Sequence, residues 1–364
     1  MPANSLQKPS VDLLRALPKT DLHVHLDGSL RPATVRELSA RYGLPFDFRN
    51  DDDVRAVCQV GEQCESLEDY LKIFEITLQL MQRRDDIERI SCELAEDAHR
   101  ENVRYLEVRY SPMLHTDKGL TLDEVVAAVQ AGLDRAHRRY GIISGQIICG
   151  IRHISPGSSL ELAELAVRWK GRGVVAFDLA GAEKDFPAKD HLQAFYTVLN
   201  HNLPVTVHAG EAFGPASIHQ AVHYCGANRI GHGTHLAEDP DLMQWVNDRR
   251  IALEVCLASN MQTRAISDWD AHPIRHFFDN GLRVTINTDN RLVSGTDMTH
   301  ELELAVTHYD LTEEQITKII LDGFKSAFLP LARKARLIDR VLGECEALGI
   351  KVGGVIDSRW RAHV

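Results

Sequence analysis

Short β-rich runs, several of them nearly all apolar, recur along this chain, separated by longer helical stretches. Eight of the runs read as strands: 20–26, 105–110, 145–151, 174–179, 204–208, 229–231, 252–257 and 283–287. Each is bounded by Gly, Pro, Asn, Asp or Ser, the residues that end strands. Val174-Val-Ala-Phe-Asp-Leu179 shows the pattern at its plainest, being nearly all apolar, as suits a strand covered on both faces. Strands alternating with helices predict a parallel sheet. Eight such units predict one α/β domain, a (β/α)₈ TIM-type barrel. An open doubly wound sheet is less well matched, because no Gly-x-Gly-x-x-Gly follows the first run.

The stretch between the first two strands, near 30–100, is long enough to hold several helices. Within it Leu67, Tyr70, Leu71 and Phe74 fall at i, i+3, i+4 and i+7, one apolar face of a helix. The chain from about Thr312 onward reads as additional C-terminal helix, broken at Leu329-Pro330. No repeat, low-complexity tract or linker divides the sequence, so the expected organisation is a flexible tail over 1–10 and a single domain over 11–364.

Composition narrows the partners. The chain has 364 residues, 44% of them hydrophobic, which is enough for a large core. Its formal net charge of −11 comes without any long basic run. Arg135, Arg138 and Arg139 read as a solvated helix face, so neither nucleic acid nor a membrane surface is an expected partner. The seven cysteines are odd in number and include no Cys-x-x-Cys, as in a reduced, cytoplasmic protein. Residues 1–10 show no apolar run of the kind a signal peptide carries, and no segment approaches the length of a membrane span.

In a barrel of this kind functional groups gather at the C-terminal ends of the strands, and the unusual polar residues fall there. His23-Val-His25-Leu-Asp27 puts three polar side chains on one side of strand one; two imidazoles at that spacing can share a metal ion, or pair in the core. His208 ends an apolar strand and Glu211 follows in the loop, where it reads either as a functional group or as a helix cap. His232 sits between Gly231 and Gly233, which leave room around it or merely form a turn. Asp289 follows the last strand as a hard ligand or a helix N-cap. Jointly they are more telling. Three imidazoles, His23, His25 and His208, with the Asp289 carboxylate make a sphere for Zn²⁺, while Glu211 and His232 remain free beside it. Those are the parts for metal-assisted hydrolysis.

At these residues the chain resembles the adenosine deaminases of the amidohydrolase superfamily. The resemblance runs from about Pro18 to about Asn290. It is carried by Lys19-Thr-Asp-Leu-His-Val-His-Leu-Asp-Gly28, Val108-Arg-Tyr-Ser-Pro112, Asp178-Leu-Ala-Gly181, His208-Ala-Gly-Glu211, Arg229-Ile-Gly-His-Gly233 and Asn287-Thr-Asp289. It implies one catalytic Zn²⁺ per chain and a small-molecule purine nucleoside as substrate, adenosine or 2′-deoxyadenosine, converted to the inosine product and ammonia. It implies His23, His25, His208 and Asp289 as metal ligands, Glu211 as the acid that protonates purine N1, and His232, with Asp289, as the group that orients the attacking water and moves its proton. Asp27 then resembles a ribose contact, the Gly181 N–H a donor to purine N3, and the stripe Leu67, Tyr70, Leu71 and Phe74 a lid over the site. Two positions depart from the familiar mammalian pattern. Asn290 replaces an Asp that contacts purine N7, and its amide donates to that acceptor at any pH. Ala182 replaces an acidic residue after Gly181. The rival readings are deamination of a related aminopurine (adenine, AMP or a modified adenosine) and a non-catalytic deaminase-like binding protein. Asp27, where adenine deaminases of this superfamily tend to carry Glu, favours a nucleoside.

Overall fold

The computed structural model describes residues 8–61, 64, 66–350 and 352. Eight strands appear where the apolar runs predict them: β1 (Lys19–His25), β2 (Val103–Tyr110), β3 (Ile143–Ile151), β4 (Val174–Ala180), β5 (Thr206–Ala209), β6 (Arg229–His232), β7 (Ala252–Val255) and β8 (Val284–Ile286). All pairings are parallel, β1-β2-β3-β4 in one sheet and β5-β6-β7-β8 in the other. Single bridges join the two sheets at both seams, Phe177 to Val205 and Val24 to Asp289, which closes the ring. The second seam matters for chemistry. The Asp289 N–H donates to the His23 carbonyl at 2.8 Å and the His25 N–H to the Asp289 carbonyl at 2.7 Å, so β1 grips the residue that follows β8.

Helices sheathe the ring. Arg84–Arg100 and Leu122–Tyr140 pack against each other outside β2 and β3, the second opened by a capping box between Thr121 and Glu124. Buried apolar side chains from the strands and helices form one continuous cluster. Residues 1–7 of the expected tail lie outside the described residues. Residues 8–10 are engaged rather than loose: Pro9 is buried, and the Ser10 side chain accepts from the Leu13 N–H to start the first helix. The expected C-terminal helices are Glu313–Ser326 and Leu331–Ala347, parted at Pro330. No described helix is long and apolar enough to cross a membrane.

The lid stripe departs slightly from expectation. It spans two helices, Leu67–Lys72 and Phe74–Leu80, rather than one. Ile73 keeps helical dihedrals (φ −62°, ψ −31°), but the bonds at the junction run three residues back, Ile73 to Tyr70 and Ile76 to Ile73. The turn tightens there, and all four stripe residues line one cavity.

Candidate active site

The cavity lies at the C-terminal ends of the strands. Leu67, Tyr70, Leu71, Phe74 and Leu78 wall one side, and His25, Asp27, Gly181, His208, Glu211, His232, Asp289 and Asn290 line the rest. His23 is fully buried and reaches the same centre from within the ring. The structure therefore brings together the candidate ligands, acid–base residues and substrate contacts read from the sequence. Residues from β1, β5, β6 and the segment after β8 meet although hundreds of positions separate them.

The ligand-type atoms of His23, His25 and His208 all lie within 4.8 Å of one another, as do those of His23, His232 and Asp289. Asp289 Oδ1 stands 3.5 Å from His23 Nε2 and 3.4 Å from His25 Nε2, and His25 Nε2 stands 3.1 Å from His208 Nε2. What surrounds these rings decides which nitrogens are bare. His23 Nδ1 lies 2.9 Å from Glu254 and His208 Nδ1 lies 3.0 Å from Asp178, both buried carboxylates that can only accept. The ring protons of His23 and His208 therefore sit on Nδ1, and each Nε2 presents a lone pair inward. His23 Nε2 is buried without a hydrogen-bond partner. Converging lone pairs with no donor between them suit a cation, so the donor set fits a divalent metal.

Behind that centre stands a layer the sequence reading assigned no role. The Arg109 guanidinium, fully buried, donates to Asp178 at 2.9 Å, to Glu254 at 2.8 Å and to the Leu22 carbonyl at 2.7 Å. Glu254 also accepts from Thr206 at 2.9 Å and from Arg229, which in turn reaches Glu107. Burial opposes ionisation of Asp178, but His208 and Arg109 outweigh it and hold its carboxyl far below the ordinary range. Arg109 and Asp178 stand inside the quoted motifs, but nothing along the sequence says that they pair.

Glu211 is 5% exposed. Its loop is held by Glu183, whose carboxyl accepts from the N–H groups of Gly210, Glu211, Ala212 and Phe213 at 2.7, 2.9, 2.7 and 3.3 Å, and from the Ser217 hydroxyl. Burial first, then the charges of Asp289 and Glu183, push the Glu211 carboxyl well above the usual Glu range, which favours its protonated form. His232 Nε2 faces Glu211 Oε2 at 3.4 Å. Both His232 and Asp289 hold positive φ, 62° and 57°, a conformation that a non-glycine residue adopts at a cost and that surrounding structure must enforce. Gly231 serves its neighbours: a Cβ there would stand 3.1 Å from His23 Cε1 and from the His208 Cα. Gly28 is more demanding, since a Cβ would fall 1.9 Å from the Asn290 Oδ1. Asp27 Oδ1 and Asn290 Oδ1 are buried with no partner in the protein, and burial raises the Asp27 carboxyl to about 7. Tyr70 of the lid donates to or accepts from Ser294 at 2.8 Å, tying the lid to the segment that carries Asn290.

A closed ring of eight parallel strands with this polar mouth defines a barrel of the metal-dependent amidohydrolase type. The chain belongs to the adenosine deaminase family, whose model matches residues 18–344, and it is a hydrolytic deaminase. It is similar to an adenosine deaminase of Vibrio atlanticus, 41% identical over 86% of this chain and 94% of that one. It is also similar to adenosine deaminase 1 of Streptomyces coelicolor, 40% identical over 94% of this chain and 90% of that one. Among solved structures, a zinc-bound amidohydrolase from Burkholderia ambifaria superposes with a TM-score of 0.85 at 25% identity, covering 93% of each chain.

Proposed function

We propose that this protein hydrolyses adenosine and 2′-deoxyadenosine to inosine and 2′-deoxyinosine plus ammonia, using one zinc ion per chain held by His23, His25, His208 and Asp289. The observation that carries the reading is the buried Glu211 carboxyl standing beside a nest of inward lone pairs. Bound zinc supplies Lewis acidity that makes water a nucleophile at neutral pH. The residues of the chain do the rest. Glu211 donates its proton to purine N1, which makes C6 electrophilic. His232 and Asp289 flank the attacking water, and one of them relays its proton to the departing amine. The C6–O bond forms, the C6–N bond breaks, ammonia leaves, and the C6 hydroxyl proton returns to the Glu211 carboxylate as the C6 carbonyl forms. Asp27 holds a ribose hydroxyl, the Gly181 N–H meets N3 and the Asn290 amide meets N7. The Leu67–Phe74 face closes over the base and excludes water.

No lysine or arginine lines the cavity among the described residues. A phosphate brought there would find no lysine or arginine to pair with it, which favours a nucleoside over a nucleotide. A direct ultraviolet assay tests this. Adenosine and 2′-deoxyadenosine should be turned over in the zinc-loaded protein, AMP and adenine far more slowly, and a chelator should abolish all turnover. AMP as the better substrate would overturn the assignment.

The carboxylates behind the ligands give a second test. Asp178→Asn removes the charge that keeps the His208 proton on Nδ1. Metal affinity should fall by about 10–100-fold, as for other groups that orient metal ligands. Competition against a chromophoric chelator measures it, and unchanged affinity would remove Asp178 from that role.

A further inference from the structure

His232 differs from His23 and His208, whose outer nitrogens meet carboxylates: its own outer nitrogen meets a side-chain amide. Its Nδ1 stands 3.0 Å from Asn260 Nδ2. Asn260 Oδ1 stands 3.3 Å from His272 Nε2, and His272 Nδ1 accepts from the backbone N–H of Ile274 at 3.1 Å. All three side chains are buried: Asn260 at 0%, His232 at 1% and His272 at 3% exposure.

The order of donors along this chain is not free. A backbone N–H has one role, so His272 Nδ1 must be bare. Burial drives the His272 imidazole down to about 3, so the ring is neutral and its single proton sits on Nε2. That Nε2–H demands an acceptor, which fixes the Asn260 amide with its oxygen towards His272 and its NH₂ towards His232. The reversed amide would set two donors face to face at His272. Facing an N–H, His232 Nδ1 is in turn bare, and its proton lies on Nε2.

We propose that Asn260 and His272 are positioning residues that lock His232 in its Nε2–H tautomer, relaying the direction of one backbone amide into the reaction centre. His232 then begins the cycle as a hydrogen-bond donor aimed at the substrate side, where Glu211 Oε2 already stands 3.4 Å from it. It cannot accept a proton through that nitrogen while the relay holds. This inference rests on the proposed function only in treating His232 as the group beside the attacking water.

The test is a long-range ¹H–¹⁵N spectrum of zinc-loaded protein labelled at histidine, with the His232 signals assigned by their loss in His232→Asn. A protonated Nε2 and a bare Nδ1 are expected, and the opposite pattern overturns the proposal. In Asn260→Asp the new carboxylate accepts from both neighbours, so the His232 proton moves to Nδ1. Then kcat should fall about 10²–10⁴-fold, the scale of a misplaced acid–base tautomer, with KM within a few-fold and zinc content unchanged. A shifted tautomer with undiminished kcat also overturns the proposal. The two readings fail separately: wild-type protein that turns over adenosine but shows Nδ1–H sinks the relay alone, whereas Nε2–H without deamination sinks the functional reading and leaves the relay standing.

Discussion

Glu211→Gln is expected to keep its metal, bind nucleoside and lose about 10²–10⁴-fold in kcat, the usual size of a general-acid contribution. The amide is nearly isosteric and can still donate a hydrogen bond to N1, but it cannot release a proton. The pH profile separates the two roles. Burial raises the Glu211 carboxyl and the charges of Asp289 and Glu183 add to that, so the protonated, active form persists to higher pH than for an ordinary Glu. Activity should therefore hold at lower pH and decline as pH rises through that raised value, and the Gln variant should lose this alkaline limb. Steady-state rates across pH on both proteins check it. Near-normal turnover by the variant would dismiss Glu211 from the chemistry.

Removing His208 should act through the other half of the site. His208→Ala deletes one inward lone pair, so bound zinc and activity should vanish together, the metal content dropping towards zero and turnover to background. The fold should survive, because Asp178 keeps its partner: Arg109 remains 2.9 Å away and no buried charge is stranded. Elemental analysis with circular dichroism measures both. A folded variant with a full complement of zinc would contradict the ligand set. The pair of variants divides the mechanism, since one keeps the metal without the acid and the other keeps the acid without the metal.

The fold was legible because barrel strands are covered on both faces and so read as apolar runs between turn residues. The strand ends were less so. Residues 204–205 read as strand, but Val205 makes only the single bridge to Phe177 and the β5 ladder begins at Thr206; Leu257 reads as strand but opens the helix Leu257–Gln262. Apolar character continues past the point where continuous ladder pairing stops. The candidate ligands and acid were legible jointly rather than singly: each has a plain alternative as a core pair, a turn or a cap, but several such residues at the ends of separate strands share few structural reasons to be there. Arg109, Asp178, Glu254, Glu183, Asn260 and His272 were not. Their roles are set by partners on other strands or loops: Arg109 and Glu254 lie 145 positions apart, and Glu183 stands in a charged run that looks solvated. No periodicity encodes such pairings. Asn260 and His272, in the segment between β7 and β8, carry no signal at all until the amide is seen to touch His232.

Strands β1, β2, β4, β5, β6 and β7 all contribute to the web around Arg109 and Glu254, through Leu22, His23, Arg109, Asp178, Thr206, Arg229 and Glu254. The web descends from the mouth to the floor of the barrel, where Arg229 and Glu107 meet beneath the face of Phe328. Damage to that floor would therefore be read out at the top. A screen for variants that fold, purify and yet deaminate poorly should recover basement residues that no nucleoside ever touches, and their defect would be one of aim, since the histidines above them would be pointed wrongly.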